Sequence, residues 1–202
     1  MTVTAERKYY EGLYEIAAKV NSAGTPAAVL RYLVRKVATI MGAKGCSIML
    51  LSPDRKHLLH TIAYGLSDAY IRKGPVSVDK SLSEALSGKP VAAVNAAEDE
   101  RIQYREQARR EGIASILSVP IKLRDETIGV IRIYTAEPYE FTEGDIYFVS
   151  AAANLGAIAL ENARIYRALE QEYETFRREM LEWRSALGEE WAEGKAVSAF
   201  SE

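Results

Sequence analysis

Arg132 is the residue whose surroundings most demand a chemical explanation. It interrupts the run Gly129-Val130-Ile131-Arg132-Ile133-Tyr134, whose neighbours predict a fully buried strand, and a buried guanidinium requires a partner. By alternation it shares a strand face with Val130 and Tyr134. An anionic ligand group would suit its forked donors. An acid of the chain such as Asp99 would serve as well, and so would a side chain that runs along the apolar surface into solvent. All three readings stand at this level.

Other reactive residue types are sparse. Cys46 is the one cysteine; inside an apolar strand it behaves as a small hydrophobe, and it has no second thiol with which to cycle. His57 and His60 lie three residues apart on one segment, which makes neither a metal site nor an independent base for a distant nucleophile. No Gly-rich phosphate loop, Ser/His/Asp arrangement or strand-borne pair of acids is present. The chain is therefore expected to have no catalytic residues, no metal site and no enzymatic activity. Twelve tyrosines against four phenylalanines favour side chains that combine a stacking face with a polar tip. Tyr64, Tyr70 and Tyr104 fall at or near loops, where such a face can meet a planar ligand or simply pack at a half-buried boundary.

The elements that must position these residues follow from periodicity. Tyr10, Leu13, Ala17 and Val20 form a first helical stripe, broken at Asn21-Ser22-Ala23-Gly24. Thr25 caps a second helix, Pro26 sits at its first position, and Val29, Leu30, Leu33, Val34, Val37 and Ile40 make a wide apolar face up to Gly42. Cys46 to Leu51 and His57 to Tyr64, joined by Ser52-Pro53-Asp54-Arg55, predict a hairpin. Val76 to Val78 is a short strand, Ser81 to Ser87 a short helix stopped by Gly88, and Val91 to Val94 another strand. A charged surface helix anchored by Ile102 and Ala108 ends at Gly112. Ile113 to Leu123 and Thr127 to Tyr134 form a second hairpin. Thr142 opens a long last helix, with Asp145 three residues on completing a capping box with a shorter acid.

Composition bounds the remaining choices. The length of 202 residues allows one domain and an appendage. A net charge of -2 gives no basic field for nucleic acid or anionic membranes, so neither is expected as a partner. The charged N-terminus lacks a secretory apolar core, and Phe148 to Leu160 is too short to span a bilayer. With the lone cysteine, this places the chain in the cytoplasm.

The ordered motifs resemble the GAF domain, a small-molecule-binding and signalling module. Ala43 to Leu50 resembles its first strand, Ala63-Tyr64-Gly65-Leu66 the close of its second, and Gly88-Lys89-Pro90-Val91 the approach to its fourth. Ile116 to Ile121, Ile128 to Ile131, and Phe141-Thr142 ahead of Asp145 continue the series. The resemblance implies an α+β, PAS-like fold: a six-stranded antiparallel sheet, terminal helices on one face, and short helices and loops over a pocket on the other. It turns Arg132 toward that pocket, beside Ser47, Met49 and Leu51. The candidate ligand-binding set is Ser47, Met49, Tyr64, Leu82, Tyr104, Arg132 and Tyr134, for a ligand and cofactor of unknown identity. Three activities known in the family are not expected here. Free methionine sulfoxide reductases of this fold use several cysteines, and bilin-binding relatives attach their chromophore at a cysteine elsewhere. Cyclic-nucleotide-binding members carry Asn-Lys where this chain has Thr135-Ala136, and Asp-Glu where it has Asp145-Ile146.

Beyond the domain, Leu155, Ile158, Ile165, Leu169, Tyr173, Phe176, Met180, Trp183 and Leu187 keep mostly three-four spacing among charges. The expected organisation is residues 1–167 as the domain with its N-terminal helices, 168–187 as a helical stalk, and 188–202 as a weakly ordered tail after Gly188. The stalk predicts a homodimer, with Leu13, Ile165, Leu169, Tyr173, Phe176, Met180, Trp183 and Leu187 in a coiled-coil-like bundle; the same residues would alternatively fold back on the first helix. The function that follows is ligand sensing relayed through the terminal helices to a separate signalling partner. The alternative is a scaffolding dimer whose pocket is filled by Met49, Leu51, Leu82 and Tyr134.

Overall fold

The computed structural model describes residues 3–22, 24–79 and 83–198, with side chains over 6–22, 24–79 and 84–185. Helices α1 (Val3–Val20) and α2 (Pro26–Met41) precede strands β1 (Gly45–Leu51) and β2 (His57–Tyr64). Helix α3 (Asp68–Ile71), β3 (Val76–Ser77), a 3-10 turn (Ser83–Ser87) and β4 (Val91–Ala93) follow. Then come α4 (Arg105–Glu111), β5 (Ser115–Leu123), β6 (Glu126–Thr135) and α5 (Glu143–Ser198). The strands form one antiparallel sheet in the order β3-β2-β1-β6-β5-β4. This is the expected α+β fold.

Local chemistry explains the helix ends. Thr25 accepts the Ala28 N–H at 3.3 Å, Pro26 stands at the first turn, and Gly42 closes α2 at φ 61. In α1 the buried stripe is turned from the expected one: Ile16 is buried and Tyr9 packs on the core, whereas Tyr10 is exposed. The reason is Asp145, whose carboxylate draws Tyr9 inward.

The sheet buries both faces. Cys46, Ile48, Ile131, Ile133, Leu117, Val119 and Ile121 pack under Ile16 of α1, the apolar face of α2, and Phe148, Val149, Ala152 and Ala153 of α5. Met49, Val130, Tyr134 and Ile116 meet Tyr70, Val76, Ala85, Ile102 and Ala108 on the other side. Gly65, at φ +74, lets the chain leave β2 where a Cβ would stand 2.1 Å from the Lys44 carbonyl.

The chain divides into two compact units, residues 1–161 and 162–202. That boundary precedes the expected one at 167. In the second unit Ile165, Leu169, Tyr173, Phe176, Met180 and Trp183 are exposed, each by half or more. Helix α5 is continuous from Glu143 through Gly188 to Ser198; one glycine in a helix costs only about 1 kcal/mol.

Asp145 joins several segments of the first unit. Its carboxylate accepts the Thr142 N–H at 2.7 Å, while Thr142 Oγ1 accepts the Asp145 N–H at 3.2 Å, completing the expected capping box. The hydroxyls of Tyr9, from α1, and Tyr139, at 3.0 Å, also donate to it. Asp145→Ala is expected to lower unfolding free energy by about 2 to 4 kcal/mol, through a lost cap and orphaned phenols. Urea denaturation measures this, and a loss below about 1 kcal/mol would show that the knot is incidental.

Candidate functional site

The face of the sheet away from the long helices carries a polar row. Ser47 on β1 and Ser118 on β5 both stand opposite Arg132 on β6, so the three side chains lie abreast on one face. All are buried, Arg132 at 4% exposure. The guanidinium therefore does not reach solvent, and Asp99 is engaged by Arg101 at 2.6 Å. Arg132 hydrogen-bonds the Tyr134 hydroxyl, which lies 2.9 Å from Ser47 Oγ. Burial raises the Tyr134 phenol above its ordinary value. Ser118 Oγ has no hydrogen-bond partner among the described residues.

A second layer stands over this row. Tyr70 of α3 meets Tyr134 edge to face, with centroids 5.9 Å apart. The Lys73 ammonium sits 3.5 Å above the Tyr70 ring centroid. It also lies 3.0 Å from the Tyr70 carbonyl and 3.0 Å from His60 Nε2. No carboxylate pairs with Lys73 among the described residues. Glu111 instead accepts from the Ser67 N–H at 2.8 Å and from the Ser67 hydroxyl. Burial, reinforced by Arg132 and opposed by Glu111, lowers Lys73 to about 7. Burial, then the positive charges of Lys73 and Arg132, pushes His60 down to about 3. The cluster is thus a concentration of basic nitrogens in a poorly solvated place.

The sequence-derived candidates divide. Ser47, Met49, Arg132 and Tyr134 share the face as expected, with Met49 and Tyr134 fully buried. Tyr104 lies at its edge: its hydroxyl donates to the Pro75 carbonyl at 2.9 Å, and its ring centroid is 5.7 Å from Lys73 Nζ. Leu82 lies outside the described residues. Tyr64 is a correction, since it stands opposite Cys46 on the helix-facing side and lines a groove with Lys19, Arg31, Tyr32 and Arg35. A bulge is the cause. Met49 pairs with His60 and Ile48 with Ile62, so Thr61 is extra and every side chain after it changes face. Of the dimerisation set, Leu13 packs partly on the first unit's core, and the side chain of Leu187 lies outside the described residues.

Sequence reasoning missed His60, Lys73 and Ser118. For His60 a signal was available, since strict alternation from the buried Leu58 places it on the face that carries Met49 and Arg132. Nothing in Lys73-Gly74-Pro75 announces that the lysine folds inward. Cys46 is buried and its thiol is pushed up by that burial, so little thiolate exists there. Among the described residues no three His, Cys, Asp or Glu side chains gather as metal ligands. No helix among them is long and apolar enough to cross a membrane.

With this geometry in place, comparison with known proteins decides the family. The sequence matches the GAF domain over residues 23–161. The chain belongs to the GAF domain family. The methyl sulfide methyltransferase-associated sensor of Methanosarcina acetivorans is 27% identical over 156 residues; the match covers 74% of this chain and 16% of that sensor. Among solved structures, the GAF domain of a phosphoenolpyruvate-protein phosphotransferase from Coxiella burnetii superposes with TM-score 0.72 at 20% identity. That match covers 81% of this chain and 98% of the other. Free methionine-R-sulfoxide reductase from Neisseria meningitidis, solved with its substrate, gives TM-score 0.68 at 16% identity, over 82% and 95% of the two chains. These structural likenesses concern the fold. GAF membership, with a sensor among the relatives, supports a sensory or regulatory domain.

The His60 environment predicts a pH effect with a definite sign. The unfolded imidazole takes a proton below about 6.5, whereas the folded one resists down to about 3. Its contribution to stability is complete above the unfolded value and is lost as pH falls through this window, with a slope of at most about 1.4 kcal/mol per pH unit. Chemical denaturation at pH 7, 5.5 and 4 should show stability falling. His60→Gln should flatten the slope, and an identical slope in the variant would remove His60 as its source.

Proposed function

We propose that this GAF domain is a non-catalytic sensor that binds a small anionic molecule against Arg132, with Lys73, Ser118, Ser47 and Tyr134 lining the same face. The observation that carries this reading is the grouping of Arg132, Lys73 and His60 over one another, with Lys73 lacking a carboxylate partner. A bound anion would offset the mutual repulsion, and Arg132 supplies directional donors for it. The sensor relative from Methanosarcina acetivorans agrees with such a role.

Occupancy would be relayed through the terminal helices of a cytoplasmic homodimer to a separate partner. The support is the exposure of Tyr10 and Tyr14 on α1 and Tyr147 on α5, and of Tyr173, Phe176 and Trp183 further along α5. Large aromatics left in water at helical spacing are characteristic of a surface that meets another chain. A second reading, a scaffolding dimer without ligand, draws on the complete burial of Met49 and Tyr134, which fill space a ligand would otherwise use.

Native mass spectrometry of gently purified protein, set beside its denatured mass, separates these readings. The expected result is a dimer carrying an extra mass that is lost on denaturation. Arg132→Ala should weaken the adduct about tenfold or more, and Arg132→Lys serves as the variant that keeps the buried charge. A dimer with no added mass after reconstitution with cell extract would favour the scaffold. Phe176→Ala with Trp183→Ala is expected to give a monomer by analytical ultracentrifugation; an unchanged dimer would assign pairing to other surfaces.

A further inference from the structure

We propose that Lys73 is a carbonyl-reactive amine, and that the pocket face takes an aldehyde or ketone carrying an acidic group, condensing the carbonyl with Nζ while Arg132 holds the acid. This deepens the ligand-binding reading above and rests on it.

The geometry supplies both halves of such a site. Lys73 follows the last turn of α3, and its Nζ is held by the Tyr70 carbonyl and His60 Nε2, each at 3.0 Å, over the Tyr70 ring at 3.5 Å. The two acceptors and the ring face favour the ammonium, and burial beside Arg132 opposes them. From β2 it faces His60, from α3 Tyr70, from β6 Arg132, and from the α4 region Glu111 and Tyr104. Of these, the single acid is already bound to Ser67. The side chain is half-buried, so a small molecule can reach it. Its proton affinity has fallen to about 7, against about 10.4 for an ordinary lysine. A large share of Lys73 is therefore neutral near physiological pH, the form that attacks a carbonyl.

The acid-binding half lies one register step away. Met49 stands opposite His60 on one side and Val130 on the other, while the neighbouring Ser47 stands opposite Arg132. Arg132 and the His60–Lys73 pair are thus diagonal across β1. Beside Arg132, the buried Ser118 hydroxyl still has a hydrogen bond to give. A compound with its carbonyl and acid a few bonds apart would bridge the two.

The reaction balances without an outside oxidant or reductant. The Nζ lone pair forms a bond to the carbonyl carbon, and the C=O π pair moves to oxygen, which takes up a proton as nitrogen releases one. The resulting carbinolamine loses its hydroxyl with one proton, as water, and the nitrogen lone pair closes the C=N bond. One water leaves for each imine formed.

Succinic semialdehyde, whose aldehyde and carboxylate carbons stand three bonds apart, is the probe. The full chain is incubated with it and sodium cyanoborohydride at pH 7, and N-(3-carboxypropyl)-lysine is mapped by peptide mass spectrometry over time. Lys73 is expected to be labelled about tenfold or more faster than Lys56 and Lys89, which are exposed. The preference should shrink as pH rises toward 10 and the exposed amines lose their protons. The native-mass adduct, once purified, should protect Lys73 but leave Lys56 and Lys89 reactive. Lys73 labelled no faster than the exposed lysines overturns the inference. If the native-mass experiment shows a ligand while labelling is unselective, this inference fails alone. Mapping uses the unaltered protein, so its outcome does not depend on a variant folding; Lys73→Arg is the confirming loss.

Discussion

A guanidinium buried in the middle of a sheet constrains what can be built around it. Arg132 lies on β6, between β1 and β5, with side chains covering it and 4% of its surface open. The desolvation of such a group is costly unless hydrogen bonds and charge compensate. Its row-mates are accordingly serines, and the phenol of Tyr134 bends back to meet Ser47. Tyr70 then packs on Tyr134, and Lys73 on Tyr70. The short helix α3, which could not stand by itself, is placed by this succession of rings and donors. The lowered proton affinities of Lys73 and His60 are a consequence of the same arrangement.

The opposite face obeys a simpler rule. Branched aliphatic residues of β1, β5 and β6 meet α2 and α5, with small side chains such as Ala152, Ala153 and Ala157 on α5 where it approaches the sheet. Close packing of this kind resists displacement because cores tolerate few voids. At its margin stands Asp145, where α1, the segment before α5 and the first turn of α5 all converge on one carboxylate. The terminal helices are held by this packing and by the polar knot, and the opposite cover by the apolar cluster around Met49, Ile116 and Val130 together with ring stacking and polar contacts. The two faces differ in composition: one is mainly aliphatic, whereas the other sets a polar row among its apolar residues.

Much of this was legible in the residues. The hairpins, the caps at Thr25, Gly42 and Thr142, and the stop at Gly112 depend on local stereochemistry, which a short window of sequence contains. Alternation put Arg132 with Tyr134 on one face of β6, and the family resemblance set that face beside Ser47 and Met49 of β1. Tyr64, expected at the site from its place near a loop, turns to the other face because the single extra residue Thr61 reverses the sense of everything after it, and no residue type marks a bulge of this kind. Lys73 was hidden for a different reason. A lysine beside Gly74-Pro75 reads as a solvated loop residue, and its inward course is decided by the Tyr70 ring and carbonyl, contacts that appear only when α3 docks. The rotation of the α1 stripe from Tyr10 to Tyr9 is likewise tertiary, set by Asp145 far along the chain.

The change in character along α5 bears on how such a domain communicates. From Phe148 to Ala159 the helix presents mainly small and apolar residues to the core, and those positions are buried. From Ile165 onward it presents large ones, among them Tyr173, Phe176 and Trp183, and leaves them exposed. Propensity does not require this shift, since alanine would serve the later turns better. Exposed aromatic surface carries a hydration cost. The same helix begins as a component of a closed core and carries large exposed apolar side chains from Ile165 onward. A ligand that altered the polar face could affect pairing only by binding one arrangement of the terminal helices better than another. Within the first unit α5 packs in the same core as Ile131 and Ile133, the neighbours of Arg132 on β6, so the helix and the strand that carries the guanidinium share one interlocked face.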